Sequence, residues 1–386
     1  MKKLPVGIQN FKKIIEGDFV YVDKTKYIYD LINGASYYFL SRPRRFGKSL
    51  LVDTIGEVFG GDKELFKGLW IYDSDYNFIK HPVIMLDMSR ITNETPDIMK
   101  KSLLSYLGLC YAKEGLEMTD DIVADAFAKL IIMLYEKSGQ KVVVLIDEYD
   151  KPILDHLDDI EIAEANRKVI KGFYGILKSM DPYLSFTFIT GVTKFTRTSI
   201  FSELNNLSDI TLSKKYPNIC GITIEDLGMY FSDHMEYLST QEDFRRYENL
   251  HDEILAWYDG YSWDGKTRVI NPFSLLNFLD QEKFSAFWYA SGTPRFLLDL
   301  IKQRPDVYTD ISELKITEHM LDSVEIDRIS IGSMLFQTGY LTIKEVLPGL
   351  GAPVYLLDIP NFEVREAFRV AFAFLGRDNI DLRVEK

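Results

Sequence analysis

The sequence predicts an α/β protein whose mainly parallel sheet is covered by helices on both faces. Three observations carry that expectation. Short apolar runs alternate with longer helical patterns from about Tyr37 to Thr211, the rhythm of parallel strands joined by crossover helices. The runs at 142–146 and 184–189 are apolar almost throughout, as strands buried on both faces are. A Gly47-Lys48-Ser49 triplet stands between the strand-like "YYFLS" and the helix-like "KSLLVDTIGEVF".

Taken in order, strands are expected at "YYFLS", "HPVIMLDMS", "KVVVLIDEYD", "LSFTFITGVT" and "SDITL". Helical spacing covers 97–110, 121–137 and 161–180, the last ending near the Asp181-Pro182 break. After Thr211 the strand pattern stops. Residues 223–258 read as helices, and the turn-rich "YDGYSWDGKTRVINPFSLLNFL" follows, with Asp264-Gly265 marking a hairpin turn. From about 307 the tail mixes helical pieces with the strand-like "GYLTIKEV" and "APVYLLDIP". The expected organisation is an α/β domain over 1–215, a helical lid with a winged-helix-like hairpin over 216–305, and a small α+β module over 306–386.

A chain of 386 residues with 46% hydrophobic content has the apolar surface to fill two or three cores. The net charge of -13 excludes a surface that is basic throughout, so contact with nucleic acid would need a local patch. Cys110 and Cys220 stand far apart without companion histidines at metal spacing. They support neither a zinc site nor a disulfide framework, and a reducing cytoplasm is the natural setting. Lys12, Lys13, Glu16 and Asp18 interrupt the N-terminal segment where a secretion signal needs an apolar core. The longest apolar runs fall far short of the roughly 20 residues that span a bilayer.

A strand that ends in a tight turn and opens a helix aims backbone amides and the positive end of the helix dipole at one point, which suits phosphate. In that frame Gly47 permits close backbone approach, Lys48 brings its ammonium to the outer phosphates, and Ser49 is a ligand for Mg2+. Arg45, Phe46 and Leu50 complete the candidate loop. One position departs from the G-x-x-x-x-G-K-[ST] pattern: Arg42 stands where the first glycine belongs. Arg42, Arg44 and Arg45 either add charge to the phosphate cradle or pair with acidic neighbours such as Asp150 and Asp155.

The second element is "VVVLIDEYD", an apolar strand ending in Asp147 and Glu148. Asp147 is a candidate for holding the metal, and Glu148 for taking a proton from the water that attacks a terminal phosphate. Two such units, in this order and inside a βα alternation, indicate ATP or GTP binding, and Glu148 favours hydrolysis. Thr190 ends the next strand. In ATPases with one strand inserted between the phosphate-loop strand and the acidic strand, a polar residue there senses the terminal phosphate; a threonine chosen for β propensity is the plainer account. Lys194 and Arg197 follow as candidate sources of positive charge, in cis or across a subunit boundary, with a solvated basic loop as the plainer reading.

The blocks "VGIQNFKKIIEGDFVYVDKT", "SRPRRFGKSLLVDTI", "VLIDEYDKPI", "ITGVTKFTRTSIFSELNNLSDIT", "YDGYSW" and "FQTGYLTI" resemble the predicted AAA-ATPase-like family of bacterial and archaeal proteins. They are similar, too, to the broader group of signal-transducing ATPases with numerous domains. The resemblance runs over essentially the whole chain. It implies a P-loop NTPase core that uses ATP and Mg2+, with an Arg-Pro-Arg-Arg-Phe lead into the loop as a family trait. It also implies that "WYASGTPRFLLDLI" is a lid segment, Gly292-Thr293-Pro294, approaching the nucleotide from the far side, with Arg295 as a candidate phosphate sensor. Relatives in that family commonly carry a restriction-endonuclease-like nuclease after this tail. The closing "LRVEK" holds Glu385-Lys386 without the strand pattern such a site needs, so a nuclease is expected to be absent or truncated here.

The resulting expectation is a cytoplasmic ATPase in which nucleotide state changes the angle between core and lid, passing that change to the tail or to a protein partner, with oligomer formation left open. Two rivals stand beside it. One is an interaction module that binds nucleotide tightly and barely turns over; the other is an ATPase acting on nucleic acid in mobile-element or defence systems, against which the acidic charge weighs.

Overall fold

The structure, a computed structural model, describes residues 1–194, 200–201, 204, 206–290, 314–321, 330–349 and 351–374. Helices α1 (Phe11–Glu16) and α2 (Thr25–Ile32) lead into β1 (Tyr37–Ser41), and α3 (Lys48–Gly60) follows directly. The sheet is completed by β2 (Val83–Asp87), β3 (Val142–Asp147), β4 (Leu184–Gly191) and β5 (Ser208–Asp209). Its order is β2-β3-β4-β1-β5 and every pair is parallel. The α/β expectation with a mainly parallel sheet is met. All strand C-termini therefore fall along one edge, where open parallel sheets form their ligand crevices.

Strand β4 lies between β1 and β3, with Thr190 opposite Leu40 and Ile189 opposite Ile146. The expected strand "SDITL" contributes only two paired residues. Beyond Asp209 the Ser41 amide donates to the Thr211 hydroxyl at 3.0 Å instead of to a backbone carbonyl, and the ladder ends there.

The two faces of the sheet are covered differently. On one, Leu51, Val52, Ile55 and Val58 of α3 share a core with Val143, Leu145, Phe186 and Phe188. On the other lie α4 (Pro96–Lys113), α5 (Val123–Ser138) and α7 (Ile160–Ser179), the last preceded by the single turn α6 (Lys151–Leu154). Helix α5 shows why: Val123, Ala126, Phe127, Leu130, Ile131 and Leu134 are its buried positions, a stripe at helical spacing. Helix α4 starts with Pro96 in its first turn and Thr95 accepting from the Ile98 amide, a start signal written in the sequence.

Downstream come α8 (Ile224–Tyr230), α9 (Ser232–Thr240), α10 (Leu250–Tyr258), α11 (Pro272–Gln281) and α12 (Phe287–Ala290). The turn at Asp264-Gly265 is made by the Asp264 carboxylate, which accepts from the Lys266 amide at 2.9 Å and the Thr267 amide at 2.7 Å. Its arms meet in a bridge between Tyr261 and Val269. The two strand-like stretches of the tail are strands, β7 (Thr342–Leu347) and β8 (Val354–Asp358), which pair antiparallel; β6 (Leu314–Thr317), not singled out in the sequence, flanks β8. Helices α13 (Glu318–Leu321), α14 (Ile331–Thr338) and α15 (Phe362–Phe374) accompany them. The core against α3 is continuous with Tyr261, Trp263, Trp288, Leu335, Tyr340 and Phe368, so downstream elements pack beside the glycine-lysine-serine turn. Among the described residues no helix is long and apolar enough to cross a membrane.

Candidate functional site

The turn between β1 and α3 is held open at the backbone. Gly47 sits at the helix N-cap with φ 87 and no side chain caps the first turn, so the leading amides of α3 are left for a ligand. A Cβ on Gly47 would meet nothing within 4 Å among the described residues; the left-handed backbone, not crowding, is what calls for glycine. Arg45 also has positive φ, at 68, a conformation costly for a residue with a Cβ. Lys48 is buried and folds back over the loop, its Nζ donating to the Arg42 carbonyl at 3.0 Å and the Pro43 carbonyl at 2.9 Å. Burial pulls its pKa down, opposed by the nearby Asp147 and Glu148 charges.

Opposite the loop, Asp147 ends β3 and is buried. Its carboxylate accepts from the Glu148 amide at 3.0 Å. Burial pushes the Asp147 carboxyl up, while the nearby Ser49 hydroxyl and the Lys48 charge pull it back. Glu148 has φ 52; burial pushes it up too, with Lys48 the largest opposing influence. Thr190 is completely buried, and its Oγ1 has no hydrogen-bond partner among the described residues. Strand alternation puts Thr190 on the same face as Phe186 and Phe188, and Asp147 on that of Val143 and Leu145, which is the α3 face.

The structure thus brings Lys48, Ser49, Asp147, Glu148 and Thr190 to the ends of three neighbouring strands. It does not do the same for every residue of the expected loop. Phe46 is fully buried, its ring 4.7 Å from that of Tyr261 and 5.5 Å from that of Trp263. Leu50 packs against the main core. Arg45 places its guanidinium 4.0 Å from the centre of the Phe273 ring, and Arg44 is exposed with its carbonyl accepting from Trp288 Nε1 at 3.2 Å.

Arg42 follows neither of the two courses open from sequence. It is fully buried, stacked 4.0 Å over Trp263, and donates to the carbonyls of Ser41 and Thr211 at 2.9 Å each. Burial pulls its pKa to about 10. The acidic neighbours are engaged elsewhere: Asp150 accepts from the Thr193 amide at 2.7 Å and the Thr193 hydroxyl at 2.5 Å. Asp155 accepts from Lys151 at 2.8 Å and from Asn93 at 3.0 Å. Lys194, read as part of a solvated loop, is buried and ion-paired to Asp209 at 3.0 Å. Arg197, the Gly292-Thr293-Pro294 segment and Arg295 lie outside the described residues.

Sequence reasoning passed over Tyr261, Trp263, Phe273 and Trp288 as neighbours of the loop. The signal the sequence offered was that "YDGYSW" is one of the blocks that carry the family resemblance, with nothing in its composition pointing at residue 46.

The chemistry of the site fits a magnesium nucleotide. The Ser49 hydroxyl, at the start of α3, and the Asp147 carboxylate, at the end of β3, are hard oxygen ligands at the same edge of the sheet, and Mg2+ characteristically takes one or two protein oxygens and completes its shell with phosphate and water. Among the described residues no group of three or more His, Cys, Asp or Glu forms an alternative metal centre. The orphaned Thr190 hydroxyl is a buried donor in want of an acceptor at the same edge.

A parallel sheet in this order, with a phosphate-loop turn between β1 and α3, is the α/β fold of the P-loop class. The family described as "Predicted AAA-ATPase" matches residues 5–201, and the chain belongs to that family. It is 38% identical, over 371 residues, to a protein of Azotobacter chroococcum mcd 1 named "Uncharacterized protein in vnfD 5'region", covering 96% of this chain and 70% of that protein. Among solved structures it is similar to the Aeropyrum pernix ORC2 protein in ADPNP-ADP complexes, at TM-score 0.35 and 10% identity over 95% of this chain and 98% of that one. It is similar also to AMPPCP-bound DnaA from Aquifex aeolicus, at TM-score 0.31 and 12% identity over 81% and 77% of the two chains.

Proposed function

We propose that the protein is a cytoplasmic, Mg2+-dependent ATPase that couples its nucleotide state to a movement of the segments packed on the phosphate loop. The observation that supports this best is the meeting of Lys48, Ser49, Asp147, Glu148 and the partnerless Thr190 hydroxyl at one edge of the sheet. In this reading the amides after Gly47 and the Lys48 ammonium hold the phosphates, Lys48 exchanging its carbonyl partners for phosphate oxygens. Ser49 and Asp147 hold the metal, which would neutralise charge on the phosphates. Glu148, whose carboxyl burial pushes upward, takes the proton of the attacking water, a role that rewards a carboxyl closer to neutrality. Thr190 donates to the terminal phosphate and reports whether it is present. Arg295 is retained as a proposed phosphate sensor.

Three parts are proposed for the chain: the α/β core over 1–215, a lid over 216–305 and a C-terminal module over 306–386. Coupling is supported by the contacts of the loop with Trp263, Phe273 and Trp288, which lie in the second part. A change in loop shape would be felt there directly.

The test is nucleotide titration and turnover for three proteins. Lys48→Ala should lose ATP affinity at least about tenfold, and Glu148→Gln should keep affinity but lose turnover by about a hundredfold. Unchanged affinity and turnover in Lys48→Ala would overturn the reading. Equal, slow single turnover in wild type and Glu148→Gln would replace the ATPase with a nucleotide-gated interaction module.

A further inference from the structure

Glu363 stands in the first turn of α15 and yet is completely buried. Its Oε2 accepts from the Ser274 hydroxyl on α11 at 2.6 Å, and its Oε1 accepts from the Trp288 amide on α12 at 2.7 Å. The same Trp288 donates its indole Nε1–H to the Arg44 carbonyl of the phosphate loop at 3.2 Å. Carboxylate, tryptophan and loop carbonyl thus form one unbroken line from the C-terminal module to the loop that carries Lys48.

The line has little slack. Gly339, at φ 92, backs it from the end of α14: a Cβ there would lie 2.8 Å from Pro43 Cβ and 3.3 Å from the Trp288 ring. Trp288 also packs on Tyr340, ring centres 5.0 Å apart. A tryptophan held on two sides passes a change at its amide to its indole, because close-packed side chains shift together.

A buried carboxylate is an expensive way to hold an amide, since desolvation opposes its charge. We propose that Glu363 is a positioning residue for the phosphate loop: through Trp288 it holds the Arg44 carbonyl, and with it the loop shape that grips nucleotide. The inference rests on the loop binding nucleotide as proposed above.

The ionised carboxylate accepts at both oxygens. Once protonated, the carboxyl donates to the Ser274 oxygen, which turns from donor to acceptor, and the Trp288 amide meets a neutral oxygen in place of a carboxylate, a bond roughly half as strong. Burial pushes the Glu363 carboxyl to about 7, against the pull of Ser274 and the amides of Trp288 and Phe287. The titratable groups that face it are the phenols of Tyr258 and Tyr261, both raised by burial first and by the Glu363 charge in addition. Helix α11 presents Ser274 and helix α12 its amides. Both phenols stay neutral between pH 6 and 8, and within this cluster Glu363 alone changes charge there. The grip on nucleotide should loosen as the carboxylate is protonated.

The experiment titrates a fluorescent ATP analogue into the full chain from pH 6 to 8 for wild type, Glu363→Gln, Trp288→Phe and the double variant, with thermal melting of each. Trp288→Phe keeps a ring and removes the indole donor. At pH 8 each single variant should weaken binding by about fivefold, and the double variant should be no weaker than the weaker-binding single, as for two residues of one line. Wild type should converge on Glu363→Gln towards pH 6, and Glu363→Gln should melt no lower than wild type at pH 8. Wild-type affinity and pH profile in Glu363→Gln, or additive losses in the double variant, would overturn the inference. Should Glu363→Gln fail to fold, wild-type affinity in Trp288→Phe overturns it alone. A wild type that binds no nucleotide at any pH would instead sink the nucleotide reading, and this inference with it.

Discussion

Arg42 lies over Trp263, its guanidinium carbon 4.0 Å from the ring centre, though the two are 221 positions apart in the chain (263 minus 42). The residue that stands in place of the first glycine of the loop is therefore a strut to the downstream turn. Its two strongest hydrogen bonds, to the carbonyls of Ser41 and Thr211, tie the end of β1 to the segment after β5.

Replacing Arg42 by Gly, which restores the missing glycine of the loop pattern, should lower stability by about 3 kcal/mol by stranding two buried carbonyls and emptying the space over Trp263. Chemical denaturation measures it. Tighter nucleotide binding in Arg42→Gly without a loss of stability would show that the arginine is a compromise and not a support.

Thr190→Val tests the partnerless hydroxyl. The shape is kept and a buried donor with no partner among the described residues is removed, so stability should be unchanged or up to about 1 kcal/mol higher. ATP turnover should fall at least about tenfold if the hydroxyl meets the terminal phosphate. A destabilised Thr190→Val with full turnover would make Thr190 an ordinary strand residue.

Gly191→Ala should be destabilising although the position is in a strand. A Cβ there would lie 2.5 Å from Asp150 Oδ1 and 2.5 Å from Tyr149 Cδ1, and Asp150 is held by the amides of Val192 and Thr193. Overpacking of this kind costs about 1–3 kcal/mol, read as a lowered denaturation midpoint. A neutral outcome would mean that Asp150 can move without consequence.

The pH dependence of stability has a sign set by Glu363. Its folded carboxyl is raised from 4.5 to about 7, so between those values the folded chain keeps a proton that the unfolded chain has released. The stabilisation is fully present below pH 4.5 and lost as pH rises through 7, about 3 kcal/mol in total. Glu363→Gln should abolish this slope and be the more stable protein at pH 8. Parallel denaturation midpoints for the two proteins from pH 5 to 8 would refute it.

Much of the site was legible before the fold. Gly47, Lys48 and Ser49 stood between a strand and a helix, and Asp147-Glu148 closed an apolar run; the structure brings the Asp147 and Glu148 charges close to the buried Lys48. The helices over 96–113, 123–138 and 160–179 agreed with the spacing of their apolar residues to within a few positions. Thr190 was harder. Its candidacy depended on β4 lying between β1 and β3, and strand order follows from pairings between segments far apart in the chain, which periodicity does not encode.

Lys194 and Arg42 show where sequence reading stopped. As residue types both read as available charge, and both are buried, one against Asp209 and the other under Trp263. The chain by itself determined the class of fold, the turn that suits phosphate and the acidic strand opposite it, because backbone geometry and apolar periodicity are local. Only the tertiary structure decided which cations serve as struts, and that Trp288 and Glu363 stand behind the loop. A charge or an amide is satisfied by whatever group folding brings within about 3 Å, and that partner is chosen by packing across the whole chain.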